Sequence, residues 1–141
     1  MPKSEVVETD ILIVGGGVAG LATAIHLADL MAASAPQEEG AKLSWNILVL
    51  EKGSSIGSHT LSGAVIDPST LKELLPGIDP KDFPFESPVK NEGVYFLTPK
   101  LALKAPFTPP FMGNHGNSVV SLGKMTRWLA EIAEKKGVQV Y

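Results

Sequence analysis

Cysteine is absent from the 141-residue sequence. Its absence excludes disulfides and any cysteine-ligated metal or iron–sulfur centre within this segment, and it leaves the redox compartment unread. Runs of Lys and Arg are missing as well, and the net charge is −3. A nucleic-acid surface needs clustered positive charge, so no nucleic-acid partner is expected. No stretch approaches the roughly 20 apolar residues that cross a bilayer, although a helix lying on a membrane surface stays open. Residues 1–10 hold Glu5, Glu8 and Asp10 without an apolar core or an Arg-rich amphipathic pattern, so no secretory or organellar signal is expected there. Acid/base pairs, a nucleophile beside a base and metal-ligand spacings are also lacking. That pattern suits a protein whose cofactor carries the chemistry while the chain positions and tunes it.

What is present begins with Ile11-Leu12-Ile13-Val14, a short, continuous run of branched apolar residues. It reads as a strand buried on both faces of a parallel sheet. Residues 19–33 are apolar nearly all round, with Leu21, Ala24, Ile25, Ala28 and Met31, and read as a buried helix in which His26 is a packing residue. Residues 34–44 are polar, with Pro36 and Gly40, and read as an exposed loop. Residues 46–51 (NILVLE) form a second buried strand. A Gly/Ser-rich loop covers 52–60, and 61–66 reads as extended. Pro68 opens a short helix to Leu75, with Asp67 as its cap. The segment to Pro88 is turn-rich. Residues 94–98 and 101–104 pair as a hairpin, and 106–117 form an irregular loop. In the final helix, Met125, Trp128, Leu129, Ile132 and Ala133 make one apolar face, while Lys124, Glu131, Glu134 and Lys135 take the other. Gly137 caps that helix, and 138–141 start another strand. The order strand, helix, strand, excursion, helix, strand describes an α/β domain, with its sheet unfinished at the C-terminal side.

Between the first strand and the first helix lies Gly15-Gly16-Gly17-Val18-Ala19-Gly20, which contains Gly-x-Gly-x-x-Gly. The pattern carries meaning where it follows a strand and opens a helix. Gly15 permits the tight turn, Gly17 lets the backbone approach a pyrophosphate, and Gly20 lets helix and strand pack closely. The N–H groups of Val18 and Ala19 and the dipole of the helix start then face the negative charge. The bland alternative is a glycine-rich connector without a ligand. The pattern calls for an acidic residue about 20 positions on, closing the second strand to hold ribose hydroxyls. Glu51 closes that strand, 36 positions after Gly15. With residues 32–44 taken as an insertion on a helix-to-strand loop, the spacing falls to 23. A carboxylate there disfavours a 2′-phosphate, which argues against NADP.

The cradle alone does not separate FAD from NAD. The stretch 51–68, EKGSSIGSHTLSGAVIDP, resembles the glutathione-reductase-type FAD flavoproteins, in which a Gly/Ser-rich loop after the acidic residue passes along FAD. More narrowly, the chain resembles the electron transfer flavoprotein–ubiquinone oxidoreductase family. The resemblance rests on IVGGGVAGLATAIHL (13–27), the stretch just quoted, LKELLP (71–76), NHGNSVVSLGKMTRWL (114–129) and GVQVY (137–141). It covers nearly the whole chain and departs only near 32–44. It implies a Rossmann-like FAD-binding domain with a parallel sheet and a small β-hairpin and loop excursion, about 67–117, toward a substrate or membrane region. The whole of 1–141 would be the N-terminal part of that one domain.

The resemblance also implies an activity. Members take electrons from reduced electron transfer flavoprotein and deliver them to ubiquinone, using FAD and a 4Fe-4S cluster whose cysteines lie beyond this segment. They sit peripherally on the inner membrane, on the matrix face in mitochondria or the cytoplasmic face in bacteria. This chain alone is expected to be inactive and to hold FAD weakly. Lys52, Gly57, Ser58, His59, Thr60, Ser62 and Gly63 match the family loop and are expected to line the cofactor, with an ordinary surface turn as the alternative. Related proteins place an arginine such as Arg127 near FAD, where a guanidinium suits a pyrophosphate. The alternative for Arg127 is a helical pair with Glu131. The helix at 68–75, with Leu71, Leu74 and Leu75, lies in a membrane-facing neighbourhood of the family, or else packs on the core. His115 is read as part of a Gly/Asn-rich turn. Two rival functions remain: another flavoprotein of the same fold, such as a geranylgeranyl-reductase-like protein, and a non-catalytic dinucleotide-binding module.

Overall fold

The structure is a computed structural model that describes residues 6–34, 45–61 and 63–141. In chain order the elements are β1 (Ile11–Val14), α1 (Val18–Ser34), β2 (Ile47–Leu50), β3 (Ala64–Ile66), α2 (Pro68–Leu74), β4 (Phe85–Pro88), β5 (Tyr95–Thr98), β6 (Leu101–Lys104), β7 (Ser118–Val120), α3 (Leu122–Lys135) and β8 (Gln139–Val140). Single 3-10 turns occur at Pro80–Asp82 and Pro110–Met112. The chain divides into two compact units, Met1–Ser62 with Leu122–Tyr141, and Gly63–Ser121. The insertion-like stretch expected at 32–44 lies, from residue 35 on, outside the described residues.

The first unit is a three-stranded parallel sheet in the order β1-β2-β8. Ile11 through Val14 pair in register with Ile47 through Leu50. Helices α1 and α3 pack against one another; α1 also lies on β1 and β2, and α3 on β8. Leu21, Ala24 and Ile25 of α1, Val49 of β2, and Met125, Leu129, Ile132 and Ala133 of α3 are buried. In α3 these residues recur every three or four positions, so one stripe faces inward. The helix stops because Gly137 takes φ +88°. The Val138 amide then donates to Ala133 O at 3.0 Å and the Gly137 amide to Glu134 O at 2.9 Å, the paired bonds of a Schellman cap.

Two expectations need correction. β1 is not buried on both faces: Leu12 remains 53% and Val14 78% exposed. An apolar strand can be covered twice only where layers exist on both sides. Here α1 and α3 lie together in one layer, and β1 is an edge strand, so its alternating residues divide between cover and solvent. Likewise α1 is buried only along Leu21, Ala24 and Ile25, and His26 is exposed rather than packed. Its Ala-rich surface has no periodic contrast from which a buried face could be read.

The second unit holds an antiparallel sheet in the order β3-β7-β4 and the β5-β6 hairpin. Asp67 caps α2, its carboxylate accepting from the Ser69 amide at 2.9 Å. Leu71, Leu75 and Phe83 are buried, and Phe83 meets Phe85 edge-to-face with centroids 5.5 Å apart. The leucines of α2 that turn inward are therefore packing residues. β4 and β7 escape the sequence reading, because strands of three or four residues, β4 with Glu86 and Pro88 among them, carry too little alternation. The hairpin is as expected, but every residue of both strands is exposed.

Leu129 makes the stability of the first unit testable. Its side chain is fully buried where α3 meets the rest of the unit. Leu129→Ala is expected to cost about 2–5 kcal/mol of unfolding free energy, measured by urea denaturation followed by circular dichroism.

Candidate dinucleotide-binding site

The end of β1 turns sharply at Gly15, whose φ of +114° lies where glycine is favoured. The Gly15 amide continues the sheet by donating to Leu50 O at 2.8 Å. Helix α1 opens at once: the Leu21 amide donates to Gly17 O at 3.0 Å. The amides of Val18, Ala19 and Gly20 precede that first intrahelical bond, so they lack a partner inside the helix and point from its positive end. A Cβ at Gly20 would lie 2.1 Å from Gly15 O. The turn and the first helical turn are thus packed backbone against backbone, as the third glycine of the pattern requires. At Gly17 a Cβ would meet nothing within 4 Å. The glycine there leaves open space in front of the helix start.

Glu51 follows directly after β2. Its backbone amide donates to Tyr141 O at 2.6 Å, anchoring it to the end of β8. Its side chain reaches back across the strand ends. Oε2 accepts from the Gly16 amide at 2.8 Å, and Oε1 from the Gly53 amide at 2.9 Å. The side chain is 17% exposed, and His59 Nδ1 stands 3.8 Å from Oε1. The Gly53 amide first, then the Gly16 amide, hold the Glu51 carboxyl below its ordinary value, with His59 and Lys52 adding small attractions against the opposing effect of burial. Each oxygen uses one bond and keeps capacity for another, so this carboxylate still has acceptors for a diol. The open space at Gly17, the unpartnered helix-start amides and the half-used carboxylate fit the pyrophosphate and ribose of a dinucleotide.

The remaining expected residues divide. Gly16 is tight where Gly17 is open: a Cβ on it would lie 2.6 Å from Ile56 Cδ1. Gly57 takes φ +79° and abuts Gly123. Lys52, Ser58 and His59 are exposed, and Thr60 is half-buried with its amide donating to Gly57 O at 3.2 Å. Arg127 is exposed on α3, and among the described residues it forms no ion pair with Glu131. Gly63, with φ +88°, belongs to the second unit, and Ser62 lies outside the described residues. His115 is exposed beside Gly116, in the turn where the Asn117 amide donates to Asn114 O. Sequence reasoning missed Gly53, Ile56 and Gly123. Ile56 had a signal, as the one large apolar residue between Lys52 and Thr60. Gly123 had none.

Residues 10–77, which span both Gly15–Gly20 and Glu51, match the family described as FAD dependent oxidoreductase. The matched stretch, just under half of the chain, is similar to the FAD-dependent oxidoreductases. It is 45% identical over its whole length to electron transfer flavoprotein-ubiquinone oxidoreductase, mitochondrial, of Dictyostelium discoideum, and covers 22% of that protein. It is 42% identical over 99% of its length to the Pseudomonas aeruginosa protein of the same name without the mitochondrial label, covering 24%. It therefore spans between a fifth and a quarter of the length of these relatives. A geranylgeranyl bacteriochlorophyll reductase-like protein of Thermoplasma acidophilum matches 94% of the chain and 29% of its own at TM-score 0.57 and 24% identity, which is a likeness of fold. FAD is the cofactor of this family, and the α/β architecture with its parallel sheet agrees with it.

Glu51 gives the site a pH signature. A carboxyl held below its ordinary value of 4.5 in the folded state contributes stability that is complete above that value and is lost as pH falls through the lower, folded value. Glu51→Gln removes this contribution and leaves one of the two amides facing an NH2 group. The acid limb of a pH–stability curve is expected to flatten below about pH 4.5, with little change in its slope between about pH 6 and 8. Thermal melts across pH 3–8 measure this.

Proposed function

We propose that the chain builds the pocket for the ADP half and diphosphate of FAD in an enzyme that passes electrons from reduced electron transfer flavoprotein to ubiquinone. The observation that carries the pocket is Glu51, tied to Gly16 at 2.8 Å beside an open helix start. Val18, Ala19 and Gly20 present amides to the diphosphate, Gly15 and Gly17 keep side chains out of its way, and Gly16 keeps its own amide aimed at Glu51. The Glu51 carboxylate accepts from the ribose hydroxyls. Gly57, Ser58, His59 and Thr60, with Lys52, line the path of the cofactor, and Arg127 supplies a positive charge for the phosphates. When bound, FAD supplies the electron-accepting chemistry. The chain's own residues bind it, orient it and hold charge near it. The reading of donor and acceptor rests on the names of relatives that are 41–45% identical.

The 4Fe-4S cluster of that family finds no ligand among these residues, which lack cysteine. It belongs to other parts of such a protein. No helix among the described residues is long and apolar enough to cross a membrane. A peripheral seat on the inner membrane, on the matrix or cytoplasmic face, is supported by the second unit, where Tyr95, Phe96, Leu97, Leu101 and Leu103 of the hairpin are all exposed, Leu97 at 77%. Apolar hairpin residues of this kind partition into a headgroup–acyl boundary. Excursion 67–117 then faces quinone and lipid.

Two measurements test the proposal. The full-length protein is expected to be purified yellow and to reduce a ubiquinone analogue when given reduced electron transfer flavoprotein. Glu51→Ala is expected to weaken FAD binding by about tenfold or more, the cost of an unmade hydrogen bond to a charged group. A colourless protein without affinity for FAD would refute the pocket; a yellow one that never oxidises electron transfer flavoprotein would refute the donor. For the membrane seat, Phe96→Asp with Leu97→Asp is expected to reduce co-sedimentation with phospholipid vesicles without changing the flavin content.

A further inference from the structure

Two glycines, of which the dinucleotide pattern includes neither, stand back to back in the first unit. A Cβ on Gly57 would lie 2.9 Å from Gly123 O and 3.3 Å from Gly123 Cα. Those atoms are main chain, so one backbone would have to move. The converse is milder. A Cβ on Gly123, in the first turn of α3, would lie 3.6 Å from Gly57 O and 3.7 Å from Arg127 Nη1, which is ordinary contact. The requirement for glycine is therefore sharp at Gly57 and loose at Gly123.

The same loop makes two further close approaches. Ile56 Cδ1 occupies the space a Cβ on Gly16 would take, 2.6 Å away, and Ser58 Oγ stands 2.5 Å from where a Cβ on Gly53 would be. The loop thus meets Gly16 of the cradle through Ile56 and Gly123 of α3 through Gly57. The same loop carries the Gly53 amide that holds Glu51 Oε1. The Arg127 guanidinium lies alongside the second point.

We propose that the Gly57–Gly123 backbone contact is a positioning contact for the dinucleotide site. It sets the separation of loop 52–60 from α3, and so sets together the aim of the Glu51 carboxylate and the place of the Arg127 guanidinium. The proposal rests on the reading of this site as an FAD pocket. A side chain on Gly57 drives the loop off α3. The Gly53–Glu51 bond belongs to the same loop, four residues before Gly57, so the displacement reaches it. Gly116 offers a control: its φ of +87° strains a side chain in the same way, but a Cβ there meets nothing within 4 Å.

The experiment uses the full-length protein stripped of FAD and titrated with FAD, followed by flavin fluorescence and by the visible circular dichroism of the bound flavin. Gly57→Ala is expected to raise the Kd for FAD about tenfold or more and to change the dichroism of what binds, since a misplacement of this order weakens every contact that depends on it. Gly116→Ala is expected to lose comparable thermal stability while its Kd stays within about twofold of the unsubstituted protein. Gly123→Ala is expected to behave like Gly116→Ala in Kd. If Gly57→Ala binds FAD as Gly116→Ala does, with an unaltered spectrum, the positioning role is wrong. Should Gly57→Ala fail to fold, Gly123→Leu carries the test from a helical position without backbone strain. A rise in its Kd supports the contact, and an unchanged Kd overturns it. An unsubstituted protein that binds no FAD overturns the pocket itself, and is told apart because every variant then fails alike.

Discussion

Glu51 joins three separate pieces of chain: its carboxylate reaches the turn after β1 through the Gly16 amide and the loop after β2 through the Gly53 amide, and its own backbone amide reaches the end of β8 at Tyr141 O. The rest of the site is arranged around that tie. Each bond runs to a main-chain group, so the carboxylate senses the spacing of strand ends rather than the identity of neighbouring side chains. A parallel sheet makes this possible. It brings the C-terminal ends of β1, β2 and β8 to one edge, where turns and helix starts gather and where ligands of open α/β sheets bind.

The glycines around this edge serve opposite ends. At Gly20, Gly16 and Gly57 a side chain would strike neighbouring atoms, so glycine there permits protein to pack on protein. At Gly17 a side chain would strike nothing, so glycine there keeps space free. A cradle for phosphate needs both. Tight packing fixes the amides in direction, and the free volume lets a ligand reach them. The charge balance agrees, because a carboxylate that already accepts two amide bonds stays ionised and offers its remaining acceptors to hydroxyl groups rather than to phosphate.

Much of this was legible in the residues. The pattern from Gly15 to Gly20 names its own geometry, since each glycine has a stated steric task and the flanking strand and helix are strongly apolar. Glu51 was legible once the polar stretch 32–44 was set aside. The stripe of α3, its cap at Gly137 and the Asp67 cap follow from local rules that act over one or two helical turns. The short strands β4 and β7 were not legible, because three paired residues are stabilised by their partners and not by their own sequence. Nor was the exposure of Leu12 and Val14, which depends on how many layers cover the sheet.

The sequence by itself determined the kind of site: a strand, a glycine turn, a helix start and an acidic residue closing the next strand, each set by local sterics and hydrogen bonding. Only the tertiary structure decided which atoms meet across the chain. That Ile56 seals Gly16, that Gly57 touches Gly123, and that Glu51 accepts from the Gly16 amide are contacts between segments 35 to 66 residues apart. They arise when the sheet closes and α3 packs on α1. Distances of that kind are written in no local pattern, because they depend on where the whole backbone comes to rest.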